Sequence, residues 1–130
     1  MIEEILKEEL VDIYFQPIVS IKTKRVFAFE ALTRCTYKGE VISPEVLFTL
    51  AKQKKLSQKL DILTRQKAIE KFHEYYLKDN DLMLFLNFES SSINKFNLRG
   101  NGYCFTKTIQ ELGISSKNFM LEIKEDEFTN

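Results

Sequence analysis

Glu30, Asn87 and Glu122 each stand near the carboxyl-terminal end of a short hydrophobic run, and together they present the oxygen donors of a hard-cation site. The runs are Arg25 to Leu32, Leu82 to Phe88 and Phe119 to Ile123. A carboxylate inside such a buried strand is costly unless it is paired or binds metal. Oxygen ligands drawn from several strand ends match what Mg²⁺ or Mn²⁺ prefers. In strand periodicity Ala28, Glu30, Leu32 and Arg34 share one face while Phe27, Phe29 and Ala31 share the other. Glu30 and Arg34 are therefore expected to line one cavity, and Phe27 and Phe29 to pack beneath helices. Plainer roles stay open: an ion pair of Arg34 with Glu30, a turn at Ser90 to Ser92 capped by Asn87, and pairing of Glu122 with Lys117 or Lys124.

The elements that must position these residues follow from periodicity and punctuation. Ile2, Ile5, Leu6 and Leu10 suit a short amphipathic helix, and Asp12 to Gln16 reads as a strand stopped by Pro17. Ile18 to Lys24 is a turn region. Ser43, Pro44 and Glu45 form a helix start, with Leu47, Leu50 and Ala51 facing inward. The spacing of Ile62, Ile69, Phe72 and Tyr76 predicts a longer helix from about Ser57 to Leu77, ended by Asp79-Asn80-Asp81. A polar connection over 94–101 leads to a third helix carrying Phe105, Ile109 and Leu112, capped by Gly113. Helices alternating with buried strands predict an α/β fold with mostly parallel strands and flanking helices.

With 130 residues, 44% of them hydrophobic, the chain is long enough for one core and too short for two. Its 19 basic and 19 acidic residues cancel, which removes the electrostatic case for a nucleic-acid polymer or an anionic membrane. The start is acidic and interrupted, unlike a signal peptide, and no run approaches the roughly 18 apolar residues of a membrane span. A cytoplasmic location without membrane insertion is expected. Cys35 and Cys104 lack metal-ligand or redox-pair spacing and read as structural thiols; His73, the single histidine, reads as a helix-surface residue.

The chain resembles the EAL-domain family of cyclic di-GMP phosphodiesterases. Tyr14-Phe15-Gln16-Pro17-Ile18-Val19 is similar to that family's Tyr-Gln-Pro-Ile-Val entry with one residue inserted, and Phe29-Glu30-Ala31-Leu32-Thr33-Arg34 contains the Glu-Ala-Leu signature followed by its Arg. Ser43-Pro44 to Leu56, Leu60-Asp61, Leu86-Asn87-Phe88 and Leu121-Glu122-Ile123 continue the match in order. The resemblance implies an incomplete, half modified TIM-type (β/α)₈ barrel, with residues 1–130 as the amino-terminal portion of one domain. It implies Glu30, Asn87 and Glu122 as ligands of Mg²⁺ or Mn²⁺, Arg34 as a phosphate contact and Gln16 as a residue of the ligand pocket. The activity it implies is hydrolysis of cyclic di-GMP to the linear dinucleotide in bacterial second-messenger signalling.

Glu89 and Lys124 depart from the family pattern beside two of these ligands, and Lys52 replaces a commonly acidic residue on a helix. The paired aspartates, the catalytic Lys and the later Glu and Gln of the family have no counterpart before Asn130, and Asp126-Glu127-Phe128 follows Glu122 too closely to stand for the aspartate pair. A full barrel takes about 250 residues. The carboxy-terminal half is therefore expected to be absent, no catalytic set is complete, and the isolated chain is expected to be inactive. Because the runs at Leu82 to Phe88 and Phe119 to Ile123 are too apolar for solvent-facing edges, a homodimer or a complementary barrel half is expected to cover them. The competing reading is a non-catalytic nucleotide-binding or protein-interaction module derived from such a domain.

Overall fold

The computed structural model describes residues 1–88 and 103–123. The proposed turn at Ser90 to Ser92, the 94–101 connection, Glu89, Lys124 and Asp126 to Phe128 lie outside the described residues.

Helix α1 (Ile2–Lys7) leads into β1 (Val11–Val19), β2 (Val26–Tyr37) and β3 (Glu40–Ile42). Helices α2 (Pro44–Gln53) and α3 (Ser57–Tyr76) precede β4 (Met83–Phe88), and α4 (Tyr103–Glu111) with a short 3₁₀ turn (Ser116–Asn118) precedes β5 (Phe119–Ile123). The sheet order is β1-β2-β4-β5, with β3 also paired to β2. β1 and β3 run antiparallel to β2, whereas β2, β4 and β5 are mutually parallel. This is the expected α/β arrangement of parallel strands with flanking helices.

Local chemistry sets the boundaries. The Val46 N–H donates to Ser43 Oγ at 3.3 Å, and Pro44 opens α2, as the sequence predicts. Gly113 ends the turn after α4 at φ +71°, and its N–H donates to the Gln110 carbonyl. The β2–β3 hairpin was not foreseen: Lys38 and Gly39 both adopt positive φ between the paired residues Tyr37 and Glu40, the backbone of a tight primed turn.

Pro17 does not stop β1, which continues to Val19. The Lys67 ammonium donates to the carbonyls of Glu9 (3.0 Å) and Val11 (2.8 Å), and that of Lys71 to the Ile13 carbonyl. The odd-numbered residues of β1 thus turn their backbone polar groups away from β2, and Pro17 falls in the same set. Its missing N–H removes no ladder bond there. The two lysines also seal this sheet edge against another strand. Replacing both with Met is expected to cost about 1 kcal/mol per lost bond and to make association depend on protein concentration, read by chemical unfolding together with sedimentation.

α3 covers one face of the sheet. Ala68, Ile69 and Phe72 join Ile13, Leu82, Leu84, Leu86, Ile109 and Ile114 in one core, while Ile62 is only half-buried. A second core gathers Ile2, Ile5, Val11, Cys35, Leu47, Ala51 and Leu60. Cys35 is buried, and burial, then the Asp12 charge, pushes its thiol up, so it stays protonated and structural. Buried Asn118 donates through Nδ2 to the carbonyls of Asn80 and Leu82, both at 2.7 Å, tying the entry of β5 to the start of β4.

The edges differ from the sequence expectation. β4 lies inside the sheet, between β2 and β5, so its apolar run meets neighbours on both sides. Among the described residues the open edge is β5, where Met120 is 46% and Leu121 37% exposed.

Candidate functional site

Strand register brings the predicted residues to one face. Gln16 stands directly across from Glu30, Glu30 is in register with Phe85, and Asn87 is in register with Glu122. Partners in register share a face, and alternation carries that face from Phe85 to Asn87. Leu84 and Leu86, the alternate residues of β4, are buried under the helices. Gln16, Glu30, Asn87 and Glu122 therefore lie on the sheet face opposite α3, with Arg34 two alternations beyond Glu30.

Glu30 and Glu122, on strands separated by β4, come close enough on this face for the charge of Glu30 to act on the Glu122 carboxyl. Burial first, and then the charge of Glu30, raise the Glu122 carboxyl above the ordinary carboxylate range. Two acids meeting on one sheet face form a centre that a cation would relieve. Among the described residues no three His, Cys, Asp or Glu side chains gather as a metal cluster. The oxygen set here is two carboxylates with the Asn87 amide in register beside one of them.

A cavity of about 230 Å³ lies between the helix-covered side of the sheet and helices α2 and α3, where Ile13, Ala31, Thr33, Ala68 and Leu86 line it. Arg34, Leu32 and Asn87 line it together with Pro44, Phe48, Asp61, Thr64 and Arg65. Glu30 and Glu122 are not among its lining residues, so the expectation that Glu30 and Arg34 share one cavity is corrected: Arg34 and Asn87 share it. The reason is that this cavity lies on the α3 side of the sheet, whereas Glu30 and Glu122 lie on the other side. Asp61 and Arg65, not foreseen as site residues, reach the same cavity. Their spacing of four on α3 was the available signal.

Phe27 is a second correction. Its ring meets Phe85 edge-on at a centroid distance of 6.4 Å and is 40% exposed, while Phe29 stacks on Phe15 and meets Tyr75 of α3. The cause is a register shift between Ile18 and Val19, which places Val19 opposite Val26 and leaves Phe27 as an extra residue. Such a bulge breaks the alternation that the parity argument needs.

Residues 1–130 match the EAL domain family as a whole. The chain belongs to the EAL-domain family. Its fold is similar to the Xanthomonas citri FimX EAL domain in complex with c-di-GMP, with a TM-score of 0.78, 18% identity, and coverage of 96% of this chain and 47% of that one. The Pseudomonas aeruginosa FimX EAL domain bound to c-di-GMP gives a TM-score of 0.76 at 19% identity, covering 98% and 50%. Klebsiella pneumoniae BlrP1, in a calcium and c-di-GMP complex, gives 0.70 at 19% identity, covering 91% and 28%. No curated protein matches the chain. The chain thus spans about half or less of the length of these structures, and its sheet and helices are a portion of the TIM-barrel fold of EAL domains. Among the described residues no helix is long and apolar enough to cross a membrane.

Proposed function

We propose that this EAL chain supplies the amino-terminal half of a cyclic di-GMP site, acting in the cytoplasm. The observation that carries this reading is the approach of the Glu30 and Glu122 carboxyls on the sheet face that also holds Gln16, Asn87 and Arg34. Structural neighbours solved with c-di-GMP support the ligand class. The residues fit a hard divalent cation: the donors are all oxygen, and the contact between two acids is unfavourable without positive charge. Glu30, Asn87 and Glu122 would hold Mg²⁺ or Mn²⁺. Bound there, such an ion supplies charge stabilisation and an activated water for phosphodiester hydrolysis.

The chain's own groups bind and orient. Arg34 offers a planar donor fork suited to one phosphate of the dinucleotide. Gln16, across from Glu30, offers an amide at the same face. Hydrolysis to the linear dinucleotide belongs to a completed barrel, because positioning and metal activation both draw on residues outside this half. The open edge at β5 is where a second copy or a complementary half would add.

Calorimetric titration with cyclic di-GMP in Mg²⁺ or Mn²⁺, with chromatography of the products and sedimentation in parallel, tests the reading. Saturable, ion-dependent binding is expected, weakened by about tenfold or more in Arg34→Ala through loss of a charge-assisted bond, without linear product. The absence of binding at millimolar dinucleotide would remove the ligand assignment. Steady release of linear dinucleotide would instead show that the 130 residues are a sufficient catalyst.

A further inference from the structure

On the sheet face that carries Gln16 and Glu30, the Arg34 guanidinium is held by a ring. Arg34 Cζ lies 5.6 Å from the centroid of Tyr14, within the range of a cation–π contact. Tyr14 pairs with Leu32 and Asp12 with Arg34, so the guanidinium leans diagonally along its strand pair toward the ring. Asp12 is the carboxylate nearest in register, yet among the described residues no ion pair joins Arg34 to it or to any other acid. A guanidinium resting on a π face keeps its full charge and its in-plane donors. An ion pair with Asp12 would instead have occupied part of the donor fork and offset the charge.

Tyr14 is itself fixed from a second side. The Lys71 ammonium lies 5.6 Å from the same centroid and 5.1 Å from that of Phe15, while it donates to the Ile13 carbonyl. The ring is 56% exposed, so burial does not explain its place. Two cations thus converge on one ring.

We propose that Tyr14 is a positioning residue that holds the Arg34 guanidinium on the sheet face of Gln16 and Glu30 for a phosphodiester anion. The inference deepens the functional reading above and rests on it for the identity of the anion. Tyr14 touches Arg34 and acts through it. At the strength of an exposed cation–π contact, about 0.5–1 kcal/mol, its loss weakens anion binding by about 2–5-fold.

The test compares the chain with Tyr14→Phe, Tyr14→Leu, Arg34→Ala and the Tyr14→Leu/Arg34→Ala double variant. One readout needs no ligand: the Arg34 Nε–H resonance, assigned by its loss in Arg34→Ala, carries a ring-current displacement that Tyr14→Phe keeps and Tyr14→Leu removes. The other is calorimetric affinity for cyclic di-GMP. It is expected to fall about 2–5-fold in Tyr14→Leu, to stay unchanged in Tyr14→Phe, and to be equal in the double variant and Arg34→Ala. A resonance indifferent to removal of the ring overturns the contact. A Tyr14→Leu loss of the same size in the Arg34→Ala background overturns positioning, because the tyrosine would then act independently. If Arg34→Ala binds like the parent chain, the phosphate reading of Arg34 fails and Tyr14's role toward the anion falls with it, while the resonance still decides whether the ring holds the guanidinium.

Discussion

Phe72→Ala is expected to cost about 3–5 kcal/mol of unfolding free energy. Phe72 is 0% exposed, and its ring meets Tyr76 at 6.1 Å and Phe119 at 5.9 Å between centroids. It joins three elements, since Tyr76 lies on the same helix while Phe119 opens β5 and Leu84 of β4 packs in the same core. A void there cannot be filled by collapse of one side chain, because its walls belong to the sheet and to α3 at once. Domains carry about 5–15 kcal/mol in total, so a sheet with an open edge at β5 would retain little stability. Urea unfolding of Phe72→Ala and Phe72→Leu gives the measure. The leucine variant keeps most of the volume and should lose far less, and comparable small losses in both would mean that the ring is not packed as described.

Legibility of this fold in the sequence depended on whether the cause was local. Ser43, Pro44 and Glu45 specify their helix start within a few residues, and Gly113 marks its turn by a backbone conformation that glycine adopts freely. The common face of Glu30, Asn87 and Glu122 was legible because alternation holds across parallel strands in register. Phe27 was placed wrongly because one extra residue at a bulge reverses alternation, and nothing in Val26-Phe27-Ala28 announces it. Pro17 was misread for a different reason: its cost depends on whether the partner strand lies on its N–H side, a fact of sheet order. Lys67, Lys71 and Asn118 bond to backbone carbonyls far away in sequence, and such targets carry no side-chain pattern to match. The pairing of Tyr14 with Arg34 is intermediate, since parity puts both on one face but only the register makes them neighbours.

Glu122→Gln is expected to reverse its effect on stability according to whether a divalent cation is present. Burial and the neighbouring Glu30 carboxylate raise the Glu122 carboxyl in the folded chain above its unfolded value. For an acid shifted in that direction the folded state favours the protonated form. The associated stability is fully present below the unfolded pKa and is lost as pH rises through the folded pKa. Around neutral pH, with chelator, the parent chain therefore carries a charge penalty that the glutamine removes, and the variant should unfold at an equal or higher temperature. Below about pH 4, where carboxyls protonate, that advantage should vanish. Adding Mg²⁺ or Mn²⁺ stabilises whichever chain binds it, by about 2.7 kcal/mol at a hundredfold excess over the dissociation constant. The parent chain should gain and Glu122→Gln should gain little, so the two unfolding curves exchange order. Equal stabilisation of both by the ion would place it away from this carboxylate pair. A variant less stable than the parent in chelator at neutral pH would mean that Glu122 has a structural cationic partner, and the reading of these two acids as a cation site would have to be given up.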